Sequence, residues 1–400
     1  MPTKLRVTIV LVDRANYGRL RPIMAIMRED PRIDLQLICT GTMLLDRFGT
    51  AAEIVEADGF SIQERIYIEL EGSVPATMVK SMGLAIIELG NAFARLEPDF
   101  VLVIGDRYEA LSAAIAAVYQ NICLIHVQGG EVTGSIDEST RHAITKLAHY
   151  HFPATQLAAE NVIAMGEPPG NVFFCGCPSA DVVSEALLRE ENNQREYLHR
   201  LGVGPLIDLS KRFVLTLFHP VTTEFQSAES QMNALLAALR ETGEQIILIW
   251  PNIDAGADGI SQAIRHFREI HRDVPLHAYK NFEPERYVPL MKKAVCLVGN
   301  SSSFVRDASF LGTPVVLIGS RQDGRETSDA VIRVEPDKEQ IFNAVRAQID
   351  HGPYEPSDLY GKVGASNKIV EQLLTLRKFS QKRLHFVSPH DVQGAYALNS

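Results

Sequence analysis

The sequence predicts an α/β protein of two doubly wound, Rossmann-like domains that face a cleft. Three observations predict it. Short apolar, β-branched runs alternate with amphipathic helical stretches along most of the 400 residues, as in parallel strands covered by helices on both faces. The alternation breaks once, near the middle. The polar residues gather just after strands, where doubly wound sheets bind ligands.

In chain order, RVTIVLV (Arg6 to Val12), LQLICT, DFVLVIG (Asp99 to Gly105) and ICLIHV (Ile122 to Val127) read as buried strands. PATMVKSMGLAIIELGNAFARL reads as a helix between the second and third. RHAITKLAHYH reads as a helix after the fourth, with His142 and His149 on roughly one face. From about Asp181 to Lys211 the chain is helical, then polar and Gly/Pro-containing, and the domain boundary is expected there. RFVLTLF (Arg212 to Phe218), QIILIW (Gln245 to Trp250), AVCLVG (Ala294 to Gly299) and PVVLIG (Pro314 to Gly319) then repeat the strand pattern. The expected division is 1–190, 205–360 and a C-terminal helical segment, 361–400. That segment could pack on either domain, and a return to the first is the expectation.

Composition bounds the function. With 46% hydrophobic and 22% charged residues, the chain can build two cores. A net charge of -10 argues against a general nucleic-acid binder. An anionic ligand must therefore be met by local arginines and helix N-termini. The five cysteines form no framework: Cys175 and Cys177 flank one glycine and lack the second pair of a zinc site. We expect no metal, and reduced thiols in a cytoplasmic protein. The N-terminus reads as a strand rather than a signal peptide. No apolar run approaches the roughly 20 residues of a membrane span. No G-x-G-x-x-G follows the first strand and no Walker A sequence occurs, so dinucleotide and P-loop chemistry lose support.

Five strand-end groups carry the chemistry. In DRANYGRLRP, Arg14 and Arg19 flank Gly18 at an expected strand-to-helix turn, suited to phosphate. In GDRYEAL, Asp106 and Arg107 end a strand; Asp106 is either a helix cap or a base. In HVQGGEVTGSIDESTRHAITKLAHYH, His126 ends a strand, Gly129 and Gly130 make a flexible turn that lets Glu131 reach more than one place, and Asp137 opens a helix. The positive end of that helix favours ionised Asp137. Arg141, on the same face, could orient Asp137 or hold a phosphate. The density of ionisable groups after one strand favours a site over packing. In the second domain, His219 and Thr222 end one strand, and Asn252 and Asp254 the next. Gly299 to Ser303 enters a helix whose amides and hydroxyls could cradle a diphosphate, with Asp307 placed for ribose and Arg321 and Arg325 after the next strand. For the serines, a helix cap is the competing account.

DRANYGRLRPIM, GDRYEAL, GGEVTGSIDESTRHAITKLAHYH, HPVTTE, PNIDAG, GNSSS and FLGTPVVLIGSRQDGRE, in order over about residues 5 to 335, resemble the hydrolysing UDP-N-acetylglucosamine 2-epimerases. The resemblance implies the glycosyltransferase-B fold, a UDP-sugar substrate, no cofactor and a homo-oligomer, dimer or tetramer. It implies elimination of UDP to 2-acetamidoglucal and addition of water to give N-acetylmannosamine, with carbon 2 inverted, for sialic-acid-type sugars. By position it implies a catalytic role for Asp106 and an acidic active-site position for Asp137; with the strand-end cluster of Glu131, His126, Gln128 and Arg141 these make up the expected catalytic set. It implies nucleotide-binding or active-site roles for Arg14, Arg107, His219, Asn252, Ser301, Ser302, Asp307 and Arg321, and Gly18 of the first strand-end turn is expected to join the UDP site. Gln128 stands where several members carry a carboxylate; it can orient water or an acetamido group but cannot act as a base. Met43 replaces an expected histidine and Asn16 a usual aspartate. Two alternatives stay open: the same reaction on UDP-2,4-diacetamido-2,4,6-trideoxyglucose, of the legionaminic acid pathway, or a non-catalytic nucleotide-sugar sensor.

Overall fold

The computed structural model describes residues 4–46, 50–70, 74–189, 198, 202–251 and 254–385. Strands β1 (Leu5–Leu11), β2 (Ile33–Thr40), β3 (Glu64–Ile66), β4 (Phe100–Ile104), β5 (Cys123–Val127) and β6 (Tyr150–Phe152) form a parallel sheet of order β3-β2-β1-β4-β5-β6. Strands β7 (Phe213–Leu217), β8 (Gln245–Ile249), β9 (Leu276–Tyr279), β10 (Cys296–Gly299), β11 (Val315–Ile318) and β12 (Val331–Val334) form a second, of order β12-β11-β10-β7-β8-β9. Counted from its own first strand, each has the doubly wound order 3-2-1-4-5-6. The order reverses between β1 and β4, and again between β7 and β10. Crevices for ligands open at the strand C-termini there.

Alternation within the strands decides both faces. Val7, Ile9 and Leu11 of β1 join one cluster with Leu20, Ile23 and Met27 of helix α1 (Arg14–Glu29). Val10 and Val12 join the opposite cluster, with residues of the helices Pro75–Leu96 and Tyr108–Tyr119 such as Leu89, Phe93 and Ala113. This period of two, buried on both sides, is why the strand reads as a continuous apolar run.

The eight strands legible in the sequence are the four central strands of each sheet. The four additional ones, β3, β6, β9 and β12, are all edge strands of three or four residues. One overturns an expectation. The helix begun at Ile136 ends at Leu147, and Ala148 turns the backbone to an extended conformation. Tyr150–Phe152 is β6, so His149 and His151 do not share a helix face with His142. His149 Nδ1 instead accepts from the Leu124 amide at 3.0 Å.

Packing at the domain junction differs in detail from the expected boundary. Helix Ser179–Leu188 lies before residue 190, yet its Val183 and Ala186 sit in a cluster with Leu215 and Leu297 of the second sheet. The C-terminal helix Ala365–Leu373 places Ile369, Val370 and Leu373 in the first domain's core. Burying such side chains contributes about 1.5–3 kcal/mol each. The chain then continues over that domain, where the Tyr150 hydroxyl donates to the Arg377 carbonyl at 2.8 Å. Among the described residues, no helix is long and apolar enough to cross a membrane.

Candidate active site

Asp13, after β1, caps α1 by accepting from the Asn16 amide at 2.7 Å. The helix therefore starts at Arg14, and Gly18 lies within it, not in the expected turn. A Cβ on Gly18 would stand 3.6 Å from Pro284 of the second domain, an ordinary contact, so neither space nor backbone conformation demands glycine there. Arg14 approaches Glu283 of that domain at 3.9 Å.

β4 delivers Asp106 and Arg107. The cap position of the following helix is Arg107, and no side chain caps there, so Asp106 is not a helix cap. Its carboxylate pairs with Arg141, which is fully buried. Arg141 also donates to the Glu131 carbonyl at 2.7 Å and to Thr133 Oγ1 at 3.1 Å. It thus orients Asp106, not Asp137. Burial alone would raise the Asp106 carboxyl, but the guanidiniums of Arg141, Arg325 and Arg306 outweigh it and hold the group well below the usual range.

Asp137 behaves in the opposite way. Burial, then the charge of Asp106, pushes its carboxyl up against the pull of Arg321, which lies 3.7 Å away. This corrects the expectation drawn from the helix end. A helix dipole contributes about 0.3–1 kcal/mol, too little against burial beside a like charge. The two carboxyls are close enough for the charge of one to act on the other, and their surroundings push them in opposite directions.

His126 lies outside that pair. It is fully buried, with Nε2 against the Gly105 carbonyl at 2.8 Å and Nδ1 against Thr145 Oγ1 at 3.0 Å. Burial lowers its pKa to about 3. It is a supporting histidine, neutral at any working pH. Gln128, also fully buried, accepts from Arg19 at 2.9 Å and donates to Cys177 Sγ at 3.0 Å. Its φ of 63° is left-handed, a conformation that a side chain adopts only under tight constraint. Its amide is thus engaged by protein at both ends, rather than held ready for water.

The turn that follows is not flexible. Gly130 has φ of 81°, and a Cβ there would meet the Ala158 carbonyl at 2.1 Å. Glu131 is held by the second domain: Arg306 Nη2 lies at 2.8 Å and Arg325 Nη2 at 3.0 Å from its carboxylate. Burial would raise it, but Arg306, Arg325 and Arg141 bring it down to about 2. Glu131 is therefore fixed between the domains, with both carboxylate oxygens engaged by guanidiniums. Nearby, a Cβ on Gly134 would meet the Ser320 carbonyl at 1.9 Å, so the two backbones touch only because that residue is glycine.

In the second domain, Asn300 locks two strand ends. Its amide donates to the His219 carbonyl at 2.8 Å and accepts from the His219 amide at 2.7 Å. Ser301 caps the helix Ser302–Ser309 by accepting from the Ser303 amide, so the cap account holds for that serine, and Ser302 opens the helix. Burial raises the Asp307 carboxyl against a hydrogen bond from Ser179 and the charges of Arg19 and Arg306. Arg321 donates to the Asn300 carbonyl at 3.3 Å while facing Asp137. Arg107 reaches across from the first domain to Asp254 at 2.8 Å and holds Glu109 at 2.9 Å. Asn252 lies outside the described residues.

The structure thus gathers Asp106, Asp137, Arg141, Arg107, Arg321 and Glu131 around one interdomain cleft. It adds Asn300, Glu109, Asp254, Arg306 and Arg325. Asn300 was visible within GNSSS as a polar strand-end residue. Arg306 carried no signal, because its partner Glu131 is 175 residues away. Among the described residues, no group of three metal-ligating side chains is placed to hold an ion.

The family model described as UDP-N-acetylglucosamine 2-epimerase matches residues 25–374. The chain is 33% identical over 376 residues to a hydrolyzing UDP-N,N'-diacetylbacillosamine 2-epimerase of Legionella pneumophila, covering 94% of this chain and 97% of that one. It is 28% identical over 355 residues to a UDP-N-acetylglucosamine 2-epimerase of Neisseria meningitidis, covering 89% and 90%. The crystal structure of UDP-GlcNAc 2-epimerase from Neisseria meningitidis bound to UDP-GlcNAc superposes with a TM-score of 0.76 at 18% identity, covering 93% of this chain and 100% of that one. The two parallel-sheet domains have the glycosyltransferase-B-like arrangement.

Proposed function

The chain belongs to the UDP-N-acetylglucosamine 2-epimerase family, and from that premise we propose that it is a hydrolysing epimerase of a UDP-2-acetamido sugar. The observation that carries the reading is the Asp106–Asp137 pair, Asp106 clamped by Arg141 and held ionised, Asp137 facing Arg321 and pushed toward protonation. In such a pair the ionised carboxylate can take a proton and the raised carboxyl can give one.

Asp106 takes the proton from carbon 2 as the carbon 1–oxygen bond to UDP breaks, and the electron pair becomes the double bond of 2-acetamidoglucal. Arg321 and the amides opening Ser302–Ser309 balance the charge gathering on the diphosphate. Asp137 then gives its proton to carbon 2 on the opposite face. Water adds its oxygen to carbon 1 and returns a proton to Asp137, while Asp106 loses its own to solvent. The products are the inverted free sugar and UDP.

The first substrate to test is UDP-N-acetylglucosamine, with N-acetylmannosamine as product for sialic-acid-type synthesis. The second reading, UDP-2,4-diacetamido-2,4,6-trideoxyglucose, is favoured by the extent of the Legionella pneumophila match. The sensor reading is weaker, because the Gln128 amide is engaged by Arg19 and Cys177 and the proposed acid–base pair does not depend on it. A cytoplasmic homo-oligomer completes the proposal. Proton NMR in deuterated water, with each UDP-sugar, tests it. The expected result is a free 2-epimeric sugar carrying deuterium at carbon 2, together with free UDP. Return of a UDP-linked epimer would mean the non-hydrolysing reaction, and no turnover of either sugar would sink the proposal.

A further inference from the structure

Two side chains in the loop after β11 are assigned no contact with the substrate in that mechanism. Arg325 is 5% exposed, and its guanidinium engages Glu131 through Nη2 at 3.0 Å. Its Nε and Nη1 are buried without an acceptor. Gln322 is 2% exposed and donates from Nε2 to the Asn300 carbonyl at 3.0 Å, while its Oε1 is buried without a donor. Across the cleft, Arg141 Nε is one more buried donor without an acceptor. Native proteins leave few buried polar groups unmatched, because each costs its full desolvation.

The loop is built to hold these groups still. The Arg325 amide donates to the Gln322 carbonyl at 3.2 Å. Arg333 donates to the Gln322 carbonyl at 2.8 Å and to the Arg325 carbonyl at 2.7 Å. Arg325 also lies close enough to Asp106 to help keep it ionised. Arg325 and Arg141 both bind Glu131, and Arg141 also pairs with Asp106, so the unmatched donors belong to the cluster around the residue proposed to act on carbon 2.

Unmatched cationic donors and one unmatched neutral acceptor carried by the same loop match a secondary amide, whose carbonyl accepts and whose N–H donates. A phosphate fits less well, since it would set its oxygens against Gln322 Oε1. A hydroxyl offers a single proton and leaves donors unmatched. Resting on the reaction proposed above, we propose that Arg325 and Gln322 read the substrate's 2-acetamido group. Arg325 donates to its carbonyl and Gln322 accepts from its N–H, so the loop after β11 separates 2-acetamido from 2-hydroxy sugars.

The test is calorimetric binding of UDP, UDP-glucose and UDP-N-acetylglucosamine to the wild type, Arg325→Lys and Gln322→Leu. Lysine keeps a cation beside Glu131 but loses the planar donors. The wild type is expected to prefer UDP-N-acetylglucosamine over UDP-glucose by roughly tenfold or more, as a charge-assisted hydrogen bond allows. Arg325→Lys should shrink that preference to within about threefold and leave UDP affinity within about threefold. Gln322→Leu should shrink it less, and it carries the comparison if the lysine variant does not fold. A preference unchanged in both variants overturns the inference, as does an equal loss of UDP affinity, which would put Arg325 on the diphosphate. A wild type that binds UDP but prefers neither sugar would instead sink the substrate reading itself.

Discussion

At equivalent places in the same strand order, the two domains carry different groups. Asp13 follows β1 where His219 follows β7; Asp106 follows β4 where Asn300 follows β10; Glu131 comes after β5 where Arg321 and Arg325 come after β11. The first domain thus offers carboxylates, and the second offers amides, an asparagine and guanidiniums. The pattern is not a clean division, since Arg107 and Arg141 belong to the first domain and Asp254 to the second. Those exceptions are paired within the same cleft. The backbone supplies positions, and the residues at the strand ends supply the chemistry. Contact between the domains then decides protonation, because Glu131 and Asp106 owe their ionised state largely to arginines, two of them from the opposite domain.

Removing the carboxylate side of the comparison should have the largest effect. Asp106→Asn should cut turnover by roughly 10²–10⁴-fold, the usual contribution of a positioned base, while UDP binding stays within a few-fold. Steady-state UDP release measures the first and calorimetry the second. Wild-type-like turnover would remove Asp106 from catalysis.

Glu131→Gln breaks the contact between the two sides without touching the acid–base pair. It leaves Arg306 and Arg325 buried with a neutral partner, which should cost about 3–5 kcal/mol of stability. Urea unfolding at neutral pH gives the number, and a loss below about 1 kcal/mol would contradict that role for Glu131.

On the guanidinium side, Arg321→Ala should weaken UDP binding by about 1.5–3 kcal/mol, the value of a charge-assisted contact. Unchanged affinity by calorimetry would take Arg321 out of the nucleotide site.

A smaller effect concerns pH. Burial raises the Glu109 carboxyl to about 7 despite Arg107. The unfolded chain releases that proton near 4.3, so its contribution to stability is full below about 4.3 and is lost as pH rises to about 7. Thermal unfolding across this window should show wild type losing stability relative to Glu109→Gln as pH rises. Parallel curves would mean that Glu109 is already ionised.

The smallest effect is expected from Gln128→Glu. The new carboxylate would face Arg19 and leave Asp106 and Asp137 in place, so UDP release should stay within a few-fold of wild type at neutral pH. An inactive wild type rescued by this substitution would establish the sensor reading.

The fold class was legible because the central strands are buried on both faces. Runs such as RVTIVLV and QIILIW need no partner to be recognised, and the break near residue 200 separates two sets of them. The edge strands were not legible. Three or four residues are too few to show a period, and Tyr150–Phe152 continued an apparent helix whose end is set by backbone pairing to β5. Asp106, Asp137, Arg141 and Arg321 stood out because each lies just after a strand or early in the following helix, in a dense polar motif. By itself, then, the sequence determined the strand-end addresses of the candidate site groups and their chemical types. Tertiary structure alone decided their states. Whether Asp106 is clamped by Arg141, Asp137 pushed toward protonation, Glu131 immobilised or His126 retired into the core depends on burial and on charges up to 175 residues away. A local pattern fixes which groups can titrate, but only the assembled cleft fixes the dielectric and the neighbours that set where they do.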